Sequence, residues 1–350
     1  MPRNRSAVTA IAVTAAATLL LTACASPSPS TTADSASAAS VSSDEHFPVT
    51  VEHVYGETVI PSQPERVATV AWANQEVPLA LGVVPVGMAK VTWGDDDDNG
   101  ILPWVEDALA DLDAETPVLF DETDGIDFEA VADTAPDVIL AAYSGLTQEE
   151  YDTLSKIAPV VAYPDFAWGT TYQDMIRMNS AALGLSEQGD ALIDELQIEV
   201  ETALAGYPEL AESTVMFSYI NPADLSEIGF YSSHDTRASF LTDLGLPSPT
   251  AVDQESALSD QFFMTVSAEQ AERFDDVDVF VTYGEADGAI VDAIQADPLL
   301  SQIPSVAAGQ IAVLENGTPL AASANPSPLS ISWGIDDYFA LLAGALTPEG

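Results

Sequence analysis

The sequence predicts an α/β protein built as two α/β lobes joined by one long helix, and three observations predict it. Short apolar, strand-like runs alternate with helical stretches from Phe47 onward, the grammar of units with largely parallel sheets. The series occurs twice, once on each side of residues 186–205. That intervening segment carries the best helical pattern in the chain and, at about 1.5 Å per residue, reaches about 30 Å, enough to bridge two bodies. With 350 residues, 47% of them apolar, the chain can bury two cores.

The elements follow in order. Residues 1–23 read as an export leader: Arg3 and Arg5 precede an uncharged stretch from Ala7 to Leu21 that is short for a membrane span. The leader ends at Leu21-Thr22-Ala23-Cys24, which resembles the lipobox of bacterial lipoproteins and makes Cys24, the only cysteine, the expected lipidation site. One cysteine also excludes an internal disulfide framework. Residues 24–46, rich in Ser, Thr, Ala and Pro, read as a flexible tether. An N-terminal lobe is expected over 47–185. It begins with a hairpin around Tyr55-Gly56, then strands at Arg66 to Ala71, Val83 to Met88, Asp137 to Ala142 and Val160 to Tyr163. A helix from about Gln75 to Leu81 stops at Gly82.

The linking helix is expected over 186–205, with Ser186 as N-cap, Glu187 and Asp190 at the positive end of its dipole, and Gly206 and Pro208 as stops. Leu192, Leu196, Val200 and Ala203 or Leu204 form its apolar stripe. A C-terminal lobe over 206–350 contains strands at Val215 to Ile220, Glu227 to Tyr231, Val277 to Tyr283 and Ile311 to Leu314. Helices at about Ala238 to Leu244, Ala268 to Arg273 and Gly288 to Ala296 separate them.

Charge and motifs narrow the function. Acidic residues number 56 against eight basic ones, and leader removal would leave six. Such a chain does not suit nucleic acid or an anionic bilayer. Three histidines, two of them near the start of the folded region, make no three-histidine metal site. Asp95 to Asp98 lack the spacing and trailing glutamate of a calcium loop and read as a solvated acidic loop, one that would favour neutral or cationic ligands. No Gly-x-Ser-x-Gly elbow or His-Glu-x-x-His helix occurs, although carboxylate pairs leave an exported hydrolase as an alternative.

Seven segments then carry a resemblance. They include HVYGETVIPSQPERVATV (53–70), IDFEAVADTAPDVIL (126–140), GFYSSHDTRASFLTDLGL (229–246), VSAEQAERFDDVDVFVTYG (266–284) and SPLSISWGIDDYFALLAGAL (327–346). In this order the chain resembles the iron-siderophore solute-binding proteins of ABC importers, the group that includes vitamin B12 and ferrichrome binders. The resemblance implies Rossmann-like lobes with a ligand cleft between them that closes only slightly, and a monomer that performs no chemistry. It implies a ferric siderophore as ligand rather than a cofactor, and an ABC permease dimer with ATPase subunits as partner. It also implies a docking glutamate on each lobe for permease arginines, here Glu129 and Glu269.

For the ligand side, aromatics at strand ends are the main resource: Trp72, Trp93, Tyr143, Trp168 and Tyr231, with Trp333 in a late loop. Each alone reads equally as core. Arg237, ahead of a helix, either donates a planar fork to chelate oxygens or pairs with a carboxylate. Arg66 reads as structural, Arg177 as structural or a cleft residue, and Lys90 follows a strand end. Haem or a corrinoid is the alternative ligand, with Tyr231 or His234 as the axial group for haem.

Overall fold

A computed structural model describes residues 47–347; the leader, Cys24 and the tether lie outside the described residues. An antiparallel hairpin, β1 (Val49–His53) and β2 (Gly56–Ile60), turns where Tyr55-Gly56 requires, with Gly56 at φ 114°. Tyr55 and His53 then pack with Tyr151, and the Val54 N–H bonds the Tyr163 carbonyl, so the hairpin is fastened to the first lobe.

The first lobe holds β3 (Val67–Thr69), β4 (Gly87–Ala89), β5 (Val118–Phe120), β6 (Val138–Leu140) and β7 (Val160–Val161), all parallel, in the order β5-β4-β3-β6-β7. The second lobe holds β8 (Val215–Tyr219), β9 (Glu227–Tyr231), β10 (Phe263–Ser267), β11 (Val279–Gly284) and β12 (Ile311–Glu315), ordered β10-β9-β8-β11-β12. The two orders are the same when strands are matched one to one. Direction differs: β9 runs antiparallel to both β8 and β10, which departs from the largely parallel expectation for this lobe. A short connection from β8 to β9 without a crossover helix leaves only the hairpin-like arrangement open. Central strands such as β6 and the middle of β11 are buried on both faces, which is why they read as unbroken apolar runs.

The linking helix runs Ser186–Leu204. Ser186 is its first residue rather than its cap; Leu185 occupies the N-cap and makes no side-chain bond. Its buried stripe is Ile193, Leu196, Val200 and Ala203, with Leu192 and Leu204 only partly buried on the flanks. The helix packs on the helix Tyr172–Ala182, and Gly189 permits that approach: a Cβ there would sit 2.1 Å from Ser180 Oγ.

A second long helix, Pro328–Leu346, begins at Ser327 with a capping box and Pro at its first turn. It packs along the linking helix, and it touches the first-lobe helices Glu76–Ala80 and Pro103–Asp111 as well as β11 and β12. Glu76, fully buried, fastens that contact. Its Oε1 accepts from Trp104 Nε1 at 2.8 Å and its Oε2 from the Leu329 N–H at 2.9 Å, at the positive end of the helix. Burial raises the Glu76 pKa, against the pull of these donors. One apolar cluster therefore runs from Val138 and Leu140 through Leu196 and Val200 to Val279 and Val281. The chain crosses between lobes once, but the packing crosses twice, and the two lobes share a continuous core.

Candidate ligand-binding cleft

The end of β3 builds the first wall. Ala71 and Ala73 stand at φ 61° and 62°, the left-handed region that alanine occupies at a cost of about 1–2 kcal/mol each. Asn74, fully buried, holds the turn: its Nδ2 donates to the Val70 and Tyr143 carbonyls, both at 2.9 Å, and its Oδ1 accepts from the Tyr143 N–H at 3.1 Å. The turn beyond β3 is thus tied to the loop beyond β6, and Trp72 and Tyr143 are held together. Trp168 joins them, its backbone N–H on the Ser144 carbonyl at 2.9 Å and its ring edge-on to Tyr143 at 5.5 Å. Gly145 makes room for it, since a Cβ there would lie 2.3 Å from Trp168 Nε1.

From the second lobe come Arg237, Phe262, Tyr283 and Asn325. Arg237 is bonded twice to the fully buried Asp235, Nε to Oδ1 at 2.8 Å and Nη2 to Oδ2 at 2.7 Å. Its guanidinium carbon lies 3.7 Å from the centre of the Tyr231 ring. Burial works against the charge, but Asp235 outweighs it and the Arg237 pKa stays well above its usual value. The Asp235 pair uses one edge of the fork, leaving Nη1 to other acceptors. Arg237 thus takes the carboxylate-pair alternative, with Asp235, and also lines the cavity.

Trp72, Trp93, Tyr143, Trp168, Arg237, Phe262, Tyr283 and Asn325, together with Ala321 and Ala322, line an open cavity of about 280 Å3 between the lobes. Contacts cross it at two levels. Asn325 Nδ2 donates to Tyr143 Oη at 2.9 Å, while Trp93 sits edge-on to Tyr283 at 5.7 Å with its Nε1 on Asn316 Oδ1 at 3.4 Å. Burial pushes the Tyr143 phenol up to about 12 and also raises those of Tyr231 and Tyr283. The cavity therefore offers aromatic faces, neutral hydroxyls, an amide and one guanidinium paired with Asp235. Such a surface can hold a bulky, weakly charged ligand by stacking and by hydrogen bonds to its oxygens.

Five of the seven residues expected at the ligand meet here: Trp72, Trp93, Tyr143, Trp168 and Arg237. Tyr231 lies one layer back, beneath Arg237 and edge-on to Phe217 and Phe263. Trp333 is elsewhere. It belongs to the helix Pro328–Leu346, not to a loop, and its ring packs 5.2 Å from Trp104 at a groove shared with the linking helix. Phe262, Tyr283 and Asn325 were not expected. Tyr283 closes a strand as the others do and could have been found by the same rule, whereas Phe262 and Asn325 sit in connections without a periodic signal.

The remaining candidates have other roles. Arg66 donates to the Ala135 and Thr134 carbonyls and anchors the entry to β6, and Arg177 pairs at the surface with Asp174 at 2.9 Å. His234 Nε2 lies 3.2 Å from the Ser256 carbonyl and its ring 4.5 Å from Phe166, while Tyr231 resists ionisation, so both axial groups considered for haem are engaged otherwise. Asp95 accepts from the Asp97 and Gly100 N–H groups of its own exposed loop. Glu129 and Glu269 are both exposed, each in the first turn of a helical segment, Phe128–Asp133 after β5 and Ala268–Phe274 after β10. Because β5 and β10 are corresponding edge strands, the two carboxylates hold corresponding positions on the two lobes. No helix among the described residues is long and apolar enough to cross a membrane.

Known proteins show the same organisation. The family model described as periplasmic binding protein matches residues 67–317. The crystal structure of PiaA from Streptococcus pneumoniae TIGR4 in complex with ferrichrome superposes with a TM-score of 0.81 at 44% identity, covering 85% of this chain and 98% of that one. The probable siderophore-binding lipoprotein YfiY of Bacillus subtilis (strain 168) is 27% identical over 240 residues, 67% of either chain. SirA of Staphylococcus aureus, complexed with staphyloferrin B, shares the fold at a TM-score of 0.63 and 19% identity over 84% of this chain and 98% of that one. With two matched sheets on one linking helix and a family match over most of its length, this chain belongs to the periplasmic binding protein family.

Proposed function

We propose that this protein captures a ferric siderophore between its lobes and delivers it to an ABC permease for iron uptake, without itself catalysing a reaction. The observation that carries the reading is the aromatic cavity of Trp72, Trp93, Tyr143 and Trp168 facing Arg237. A ferric hydroxamate chelate is charge-neutral at its metal centre, since three hydroxamate anions cancel Fe(III), and it exposes oxygens that Arg237 Nη1 can bond. The relation to PiaA, whose structure holds ferrichrome, supports this chelate class. So does the charge of the chain, −48, which disfavours strongly anionic chelates over neutral or cationic ones.

Delivery rests on Glu129 and Glu269. A carboxylate at corresponding places on two lobes can form charge-assisted bonds to arginines on a two-fold permease, and the separation of the pair reports the state of the cleft. Acylation at Cys24 would hold the monomeric body at the extracytoplasmic face of the membrane through the tether 24–46, in keeping with the lipoprotein names of the Bacillus relatives.

Tryptophan fluorescence tests the reading, because three of the five tryptophans line the cavity. A panel of hydroxamate, catecholate and citrate chelates, each with and without iron, should quench strongly only with ferric hydroxamates. Equal quenching by iron-free forms, or none by any ferric chelate, would refute it.

A further inference from the structure

Among the described residues that line the main cavity, Arg237 alone carries a charge. A lone guanidinium among aromatic rings would draw anions, but this one has a partner. Asp235 stands behind it, fully buried and off the cavity wall. Its Oδ1 accepts from both the backbone N–H and the Nε of Arg237, at 2.9 and 2.8 Å, and its Oδ2 accepts from Nη2 at 2.7 Å. All three donors belong to one residue. The backbone bond makes Asp235 the N-cap of the helix Thr236–Asp243. Capping alone would be served as well by Asn or Ser, which rank with Asp at that position. The second oxygen does more, completing a two-point pair with the guanidinium. Nothing else around Arg237 offsets its charge. Tyr231 lies under the guanidinium carbon at 3.7 Å and Phe217 at 6.0 Å, and burial pushes the Tyr143, Tyr231 and Tyr283 phenols further from ionisation.

We propose that Asp235 determines charge selectivity from outside the cavity: by cancelling the charge of Arg237 it turns the one cation of the wall into a neutral, fixed donor and so excludes anionic chelates. The inference rests on the function proposed above and assigns its selectivity to one side chain. Surface carboxylates act on the approach of a ligand, but at physiological salt their fields fade over about 8 Å. Within the cavity the wall itself decides. An anion entering there must shed its water and finds no net positive charge in return. A neutral chelate gives up less hydration and still accepts from Arg237 Nη1. Asp235 also orients that donor, because a two-point pair on a ring face leaves the planar guanidinium one pose.

The test uses ferric chelates on one tripodal scaffold whose hydroxamate arms are replaced one at a time by catecholate. Each replacement adds one negative charge at nearly constant size. Affinities are read by tryptophan quenching at pH 8. The wild-type protein should bind the neutral member most tightly and lose about ten-fold or more with the first added charge. Asp235→Asn keeps the cap but cannot accept from Nη2, so that penalty should shrink by about ten-fold. Adding Arg237→Gln to Asp235→Asn removes the freed cation and should restore the wild-type ratio, with every member bound more weakly. A purely structural role would weaken all members together and leave the ratio unmoved in Asp235→Asn, which overturns the proposal. So does a wild-type protein that prefers the singly charged chelate over the neutral one, a result that needs no variant. Either outcome leaves the function standing as long as the neutral ferric chelate binds, whereas binding of no member removes the function and the role of Asp235 together.

Discussion

Tyr143 Oη, at the end of β6, accepts a hydrogen bond of 2.9 Å from Asn325 Nδ2, which lies across the cleft just ahead of the C-terminal helix. Thr236 Oγ1 completes the group, 3.3 Å from the phenol and bonded to Asn325 Oδ1. Part of the cavity lining is therefore a polar clasp between lobes. Tyr143→Phe should leave the Asn325 amide short of a partner and cost about 1–2 kcal/mol in urea unfolding. Combined with Asn325→Ala, it should show a coupling of about 0.5–1.5 kcal/mol; strict additivity would mean that the lobes are not linked here.

Gly145 and Trp168 give a prediction for affinity. In Gly145→Ala the new methyl would lie 2.3 Å from Trp168 Nε1, so the indole must leave its place against Tyr143. We expect a loss of about ten-fold in ferric hydroxamate affinity with a folding cost of about 1–3 kcal/mol, read by calorimetry and thermal melting. Unchanged affinity would place Trp168 outside the binding surface.

Glu122 ties stability to pH. Its carboxyl titrates near 4.5 in the unfolded chain and at about 7 in the fold, with burial as the main cause. The raised value means that the neutral acid suits the fold, so its contribution is complete below about 4.5 and fades as the pH rises through about 7. At about 1.4 kcal/mol per unit, the loss approaches about 3 kcal/mol. Glu122→Gln, neutral throughout, should flatten the fall in urea midpoint between pH 4.5 and 8 relative to wild type. Parallel profiles would contradict the assignment.

Glu129→Ala and Glu269→Ala address delivery. Both side chains are exposed and away from the cavity, so ferric chelate affinity should stay within about two-fold while iron uptake falls several-fold in each and further in the pair. Lost affinity in either variant would contradict the docking role.

Much of this was legible in the residues because strand ends are marked twice. The apolar run that becomes a buried strand stops, and an aromatic follows: Trp72 beyond β3, Tyr143 beyond β6, Trp93 beyond β4. Periodicity likewise gave the linking helix, though Ile193 rather than Leu192 is buried at its start, since both positions keep helical spacing to Leu196 and the pattern alone does not choose between them. Trp333 was misplaced although Ser327-Pro328 is itself a helix-start signal; reading that cap would have put the indole on a helix, away from the strand ends. Strand direction left no such mark, so the reversal of β9 was not foreseen, and β10 was not read as a strand at all. Phe262 and Asn325 were not foreseen either. Phe262 is placed by its carbonyl, which accepts from the Ser232 N–H, and Asn325 by its bonds to Thr236 and Tyr143, long-range contacts between residues unremarkable in sequence.

The central claim is that a ferric chelate sits between the lobes, and iron itself can locate it. Crystals grown with a ferric trihydroxamate, measured at the iron absorption edge, should give one strong anomalous peak inside the cavity bounded by Trp72, Trp168 and Arg237. A peak in the groove between the linking helix and Trp333 instead, or an unoccupied cavity at saturating chelate, would contradict it.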